Sequence, residues 1–210
     1  MISFCSCSTT RGEAEPSPAL LKASTFLNDG KHKDALAAFS DVAYEGQGDY
    51  RAFVGMALCY AHLGDRERFE IFSLEASGRS PFLLPSFYRL GVMYVLAAER
   101  FRQRLGSFRY AQLGIEYLRR VFAAKPDYHR DLLPTLGLGL HLAEDHAGGA
   151  LLLEDTLQRQ PNRLDVVHTL LLCYRALNQK EAVQRILFPI QDQEKLPPAW
   201  ETLWHWSHEK

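Results

Sequence analysis

From residue 16 onward, apolar side chains return every three or four positions, the spacing that lays them along one face of an α-helix. The clearest run is Phe53, Met56, Ala57 and Tyr60. Breaks fall between such runs. Asp29-Gly30 and Leu63-Gly64-Asp65 place a glycine where a helix needs a left-handed residue to stop. Pro81, Pro126 and Pro161 each follow an apolar stretch that a proline cannot continue. The pattern predicts paired helices in series and an all-α fold.

The helices recur with a common phase. Residues 16–49 carry Ala23, Phe26, Asp29-Gly30, Ala35 and Phe39. Residues 50–83 carry Phe53, Met56-Ala57, Tyr60, Gly64, Phe69, Ala76 and Pro81. Residues 130–163 carry Leu136-Gly137, Leu140, Gly149, Leu153 and Pro161, and residues 164–197 carry Leu170, Tyr174, Asn178 and Ala182-Val183. This series resembles the tetratricopeptide-repeat family, whose unit is a helical hairpin with small residues and an aromatic in helix A, Ala and Phe in helix B, and a closing Pro. The resemblance covers residues 16 to about 197 and implies a right-handed α-solenoid of about five hairpins.

The third repeat, 84–129, starts with Leu90-Gly91 and Tyr94 and ends at Pro126, but Tyr94 to Gly114 is about three helical turns too long. Either both helices are elongated or a loop bulges near Gly106-Ser107. Residues 97–105 hold no breaker, which favours long helices protruding from one edge and offering a second surface. After Pro197-Pro198, residues 198–210 predict a capping helix that packs Trp200, Leu203 and Trp204 on the fifth repeat and turns Trp206 elsewhere.

The resemblance implies a function in protein–protein contact. In this family helix A lines a concave groove, which here gives Arg51, Val54 and Leu58, then Tyr88 and Val92, then Leu138 and His141, then His168, Leu172 and Arg175. The lining is apolar through its middle, suited to an amphipathic helix or an extended hydrophobic strand. Tyr88 is the expected anchor, and Arg51 and Arg175 the expected partners of acidic groups. The Lys/Asn/Arg clamp by which some members hold a chaperone C-terminus is absent, since Leu20, Ser24, Leu58, Tyr88 and Val92 stand at those positions.

Composition narrows this further. The 210 residues are 47% hydrophobic with a formal net charge of -1, enough for a packed core and without the basic excess that a phosphate backbone calls for. The expected partner is therefore a protein or peptide and not nucleic acid. The run at Arg100, Arg102 and Arg104 reads as a solvated helix face. His141 and His168, with Asp131 and Asp165 nearby, raise a metal or acid–base site, but no tight ligand motif accompanies them. His146, His205 and His208 read as exposed. Cys59 and Cys173, each one residue before a tyrosine, read as small buried fillers. No enzyme activity, cofactor or metal is expected.

The N-terminal tail, residues 1–15, is a separate matter. Phe4-Cys5-Ser6-Cys7 followed by a Ser/Pro-rich polar stretch resembles the end of a bacterial lipoprotein signal, with Cys7 the candidate for lipidation and the rest a tether. Only six residues precede Cys7 and none is basic, short of the apolar region of about 7–15 residues such a signal needs. An upstream start would make this an outer-membrane or periplasmic lipoprotein, like the small repeat lipoproteins that act as pilotins or assembly factors, with lipid its one link to the membrane. Otherwise a cytoplasmic chaperone or adaptor for a secreted or assembling protein is expected.

Overall fold

A computed structural model describes residues 14–45, 48–104, 106–161, 163–191 and 196–209. These form eleven α-helices, with no strand among the described residues. The hairpins are α1 (Pro18–Asn28) with α2 (His32–Glu45), α3 (Tyr50–Leu63) with α4 (Arg66–Arg79), α5 (Leu84–Arg100) with α6 (Ser107–Ala124), α7 (Leu132–Leu142) with α8 (His146–Arg159), and α9 (Leu164–Ala176) with α10 (Lys180–Gln191); α11 (Pro198–His208) stands last. Five hairpins and a final helix are the architecture expected from the sequence. Cys5 and Cys7 lie outside the described residues.

Local chemistry explains the boundaries. Ser17, Asp49, Asp65 and Asp145 cap α1, α3, α4 and α8, each side chain accepting from a backbone N–H of the first turn. Each hairpin turn carries one residue with positive φ, namely Gly30 (74°), Gly64 (77°), Gly106 (94°), Glu144 (63°) and Asn178 (56°). Glycine adopts this region freely, and asparagine adopts it more readily than most residues. Helices α4, α6 and α8 end two residues before Pro81, Pro126 and Pro161.

The chain divides into two compact units, Met1–Leu132 and Leu133–Lys210. In unit one, α3 is flanked by α2 and α4 and touched by α1 and α5. Its residues Tyr50 to Cys59 are buried without interruption. Phe39 of α2 drives its ring into α3 at Gly55, where an added Cβ would lie 2.4 Å from it. Phe69 of α4 sits among Tyr94, Phe101 and Tyr110, with ring centroids 6.2, 5.7 and 5.1 Å away. Phe69 thus fills the space that the longer third hairpin encloses.

That third hairpin has helices of 17 and 18 residues, against 11 to 14 in the others. The expected elongation is present; the expected protrusion is not. Helix α5 stops at Arg100, and Phe101 turns inward to 2% exposure. Arg104 Nη1 donates to the Gly64 carbonyl at 3.2 Å, which lays the tip on the turn of the second hairpin. Burial of the Phe101 ring ends the helix where the sequence carries no breaker.

In unit two, α7 and α8 meet through Gly137 and Gly149: a Cβ on Gly149 would lie 3.0 Å from the Gly137 carbonyl and 3.4 Å from Cys173 Sγ of α9. Leu153, Leu170, Leu171, Val183, Leu187, Trp200 and Leu203 build the core. Val183, not its neighbour Ala182, takes the fully buried place in α10. Helix α11 packs on α10 and α9. Trp206 does not turn away: it is partly buried against this core, with Lys180 5.7 Å and Arg175 6.0 Å from its ring.

Candidate partner-binding site

The ten expected groove residues divide sharply by unit. In unit one, Val54 and Leu58 on α3 are each 1% exposed, and Tyr88 and Val92 on α5 are each 9% exposed. Arg51 is buried as well, and its guanidinium is already engaged. It pairs with Asp49 through Nε and Nη2, the shortest contact being 2.6 Å, and its Nη1 donates to the Ala14 carbonyl at 2.8 Å. Asp49 also caps α3, so one carboxylate starts the helix and fixes the arginine that pins the incoming chain. Arg51 is thus committed inside the fold and does not stand ready for an acidic partner.

Tyr88 is likewise committed. Its hydroxyl lies 2.8 Å from His129 Nδ1, an atom that also accepts from the Asp131 backbone N–H at 3.1 Å. The Tyr128 and His129 rings pack against it at 5.6 and 4.9 Å.

Unit two is more open. Leu138 and His141 on α7 and His168 and Leu172 on α9 are partly exposed, and Arg175 is exposed. Helices α7 and α9 come together at His141, whose Nδ1 is 3.6 Å from Cys173 Sγ. The same Nδ1 lies 3.1 Å from His146 Nδ1, so the neighbour of His141 is the histidine that sequence alone placed in solvent. His168 Nδ1 instead accepts from Trp200 Nε1–H at 3.1 Å, tying α9 to α11. No group of three or more His, Cys, Asp or Glu among the described residues is arranged to hold a metal ion. Hydrogen bonding thus gives His141 and His168 different partners, His146 for the one and Trp200 for the other, which linear spacing does not reveal.

Electrostatics mark structural roles elsewhere. Cys59 and Cys173 are fully buried, and burial pushes both thiols up to about 12. At neutral pH they are uncharged and poor nucleophiles. Burial, then the hydrogen bond to Glu70, pushes the Tyr110 hydroxyl up to about 12. That same bond, with Arg66 beside it, holds the Glu70 carboxyl below its ordinary range. This trio stitches the second hairpin to the third.

Exposed apolar side chains also occur outside the expected groove: Ile71 and Leu74 on α4, Phe82 after it, Leu151 on α8 and Phe188 on α10. No helix among the described residues is long and apolar enough to cross a membrane.

No known protein family profile matches the chain, and no curated protein matches it in sequence. Solved structures do match its fold. It superposes on MamA AMB-1 with a TM-score of 0.60 at 15% identity, over 84% of this chain and 97% of that one. A tetratricopeptide-repeat protein from Parabacteroides merdae gives 0.63 at 9% identity, over 88% of this chain and 68% of that one. A double mutant of MamA RS-1 gives 0.57 at 18% identity, over 85% and 96%. The chain has the fold of the tetratricopeptide-repeat proteins, an all-α repeat of helical hairpins.

Proposed function

We propose that this protein is a binding scaffold that holds an apolar or amphipathic segment of a partner protein, and that it does so on the α7–α9 face of unit two. The observation that carries the reading is the contrast in burial at repeat-equivalent positions. Val54 and Leu58 are sealed, whereas Leu138 and Leu172 keep accessible surface beside His141 and His168. An accessible apolar strip flanked by polar groups is the surface an amphipathic helix covers. Fold by itself does not assign this role; the accessible face is what supports it.

A fluorescein-labelled amphipathic peptide with a leucine face and a glutamine face tests the reading by anisotropy. The wild-type chain is expected to bind it, and L138E/L172E to lose about tenfold or more in affinity while keeping its helical circular dichroism. Equal binding by the folded variant, or none by the wild type, overturns it.

Attachment to a bacterial envelope is a separate part of the proposal and rests on Ser6-Cys7 in the sequence. The intact mass of the N-terminal peptide from the native host tests it: lipid on Cys7 supports an envelope scaffold, and unmodified thiols leave a cytoplasmic adaptor.

A further inference from the structure

Four arginines stand on the turn edge of unit one; the charge of Arg109 reaches the Glu70 carboxylate, and Arg100, Arg102 and Arg104 have no such partner among the described residues. Arg100 ends α5, Arg102 and Arg104 lie in the turn, and Arg109 stands in the first turn of α6; all four are exposed. The turn is anchored. Phe101 is buried beneath it, Arg104 holds the Gly64 carbonyl, and Gly106 lies against the Arg66 guanidinium, where an added Cβ would meet Nη2 at 2.8 Å. Among the described residues, none of the four forms an ion pair. Arg66 and Arg68, on the adjoining helix, are answered by Glu70 at 3.0 Å and Asp65 at 3.5 Å. The run is solvated, as expected, but only Arg100 of its three arginines belongs to a helix; Arg102 and Arg104 lie on the turn.

A second observation comes from two imidazoles on the same edge. His32, at the start of α2, and His62, in the last turn of α3, stack with centroids 4.3 Å apart and planes 10° from parallel. His32 Nδ1 is buried without a hydrogen-bond partner. Burial first, then the positive charge of Arg100, lowers the affinity of both rings for protons; for His62, which also feels His32, the result is about 4. Both rings are neutral at pH 7, and the charge of Arg100 reaches both. Beside the arginines stand two apolar side chains, Leu63 at the end of α3 and Phe108 at the start of α6, each 44% exposed.

We propose that this edge docks an acidic protein segment, a stretch rich in Asp and Glu that carries one or two apolar anchors. Guanidinium groups pair with carboxylates in a planar, two-bond geometry, and Leu63 and Phe108 offer the anchors a dry footing. The observations favour a protein over a nucleic acid or a membrane. The chain as a whole has a net charge of -1, so no wide positive field tracks a phosphate backbone. Two exposed apolar side chains are also too few to insert into a bilayer. This proposal stands independently of the α7–α9 reading, with different residues, a different unit and a different probe.

The test is anisotropy of a labelled peptide of alternating Asp and Glu interrupted by two leucines, with the full chain at low salt and pH 7. Saturable binding is expected. It should weaken about tenfold in R100E/R102E and fall with added salt. The NMR titration midpoint of His62 should rise in the complex, because carboxylates beside Arg100 cancel the field that lowers it. Unaltered binding in a folded R100E/R102E, or no binding by the wild type, overturns the proposal. So does displacement of the peptide by polyuridine at equal charge, which assigns the edge to nucleic acid, or by anionic vesicles, which assigns it to a membrane surface.

Discussion

Helices α3 and α9 are both first helices of a hairpin, and both carry a Cys-Tyr step near their ends, at Cys59-Tyr60 and Cys173-Tyr174. Yet α3 is buried on every side over Tyr50 to Cys59, while α9 leaves Leu164, Asp165 and Arg175 exposed and His168 and Leu172 partly so. Their sequences carry the difference. Between Ala52 and Ala61, α3 presents only apolar residues, glycine, cysteine and tyrosine, whereas α9 interrupts its apolar positions with Asp165, His168, Thr169 and Arg175. A helix apolar all round belongs in a core, and one with a polar stripe keeps a wet face. A repeat position thus predicts which neighbours a residue has, but composition decides whether that position is lining or core.

The largest effect expected from this comparison is on stability. Leu58→Ala should cost about 2–5 kcal/mol, because it empties a sealed site, and Leu172→Ala only about 1 kcal/mol. All three tryptophans lie in α11 of unit two, so their fluorescence follows that unit alone while circular dichroism follows both. In urea, Leu58→Ala should shift the circular dichroism transition and leave the tryptophan transition in place. A common shift would show that the units unfold as one.

Next in size are the glycine contacts, where the units are alike. Gly114 meets the Gly91 carbonyl in unit one as Gly149 meets the Gly137 carbonyl in unit two, each at 3.0 Å from an added Cβ. Gly114→Ala and Gly149→Ala should each cost about 1–3 kcal/mol through overpacking against backbone, despite alanine's better helix propensity. Thermal melts check this. Gly78, with open space around it, is the control and should gain slightly as alanine.

The last contrast is pH dependence between about 4 and 6.5, where His62 of unit one is the group with the large shift. His62 is held near 4 in the folded chain against an ordinary value of 6.5. Between these values the unfolded chain binds more protons, so stability is fully present above about pH 6.5 and falls as pH drops towards 4. Urea midpoints of wild type and His62→Phe across that window check the sign: the variant should show the shallower fall.

The turns and closing prolines were legible in the sequence because they depend on neighbours only a few residues away. Gly30, Gly64, Asp65 and Pro81 each act through their own backbone or the next turn. The stop at Arg100 was not legible. Phe101 turns inward at the end of α5, where Phe69, far off in sequence, and Tyr110, across the turn, lie against its ring. The closure of the expected groove in unit one was hidden for a similar reason. Family phase put Arg51 and Tyr88 on a lining, while Asp49, Ala14 and His129 had already engaged them. The pairing of His141 with His146 spans a hairpin turn, so it needed the turn geometry that Glu144 supplies.

The buried thiols give the two units a way to be timed separately. Cys59 and Cys173 are each inaccessible and uncharged in the closed fold, one in each unit. An alkylating reagent can reach either only when its helix opens, so the rate of modification at each cysteine records how often its own unit breathes. Read from the two peptides in a single digest, those rates become a pair of internal clocks running in the same sample, and a ligand that settles on one unit should slow one clock and leave the other running.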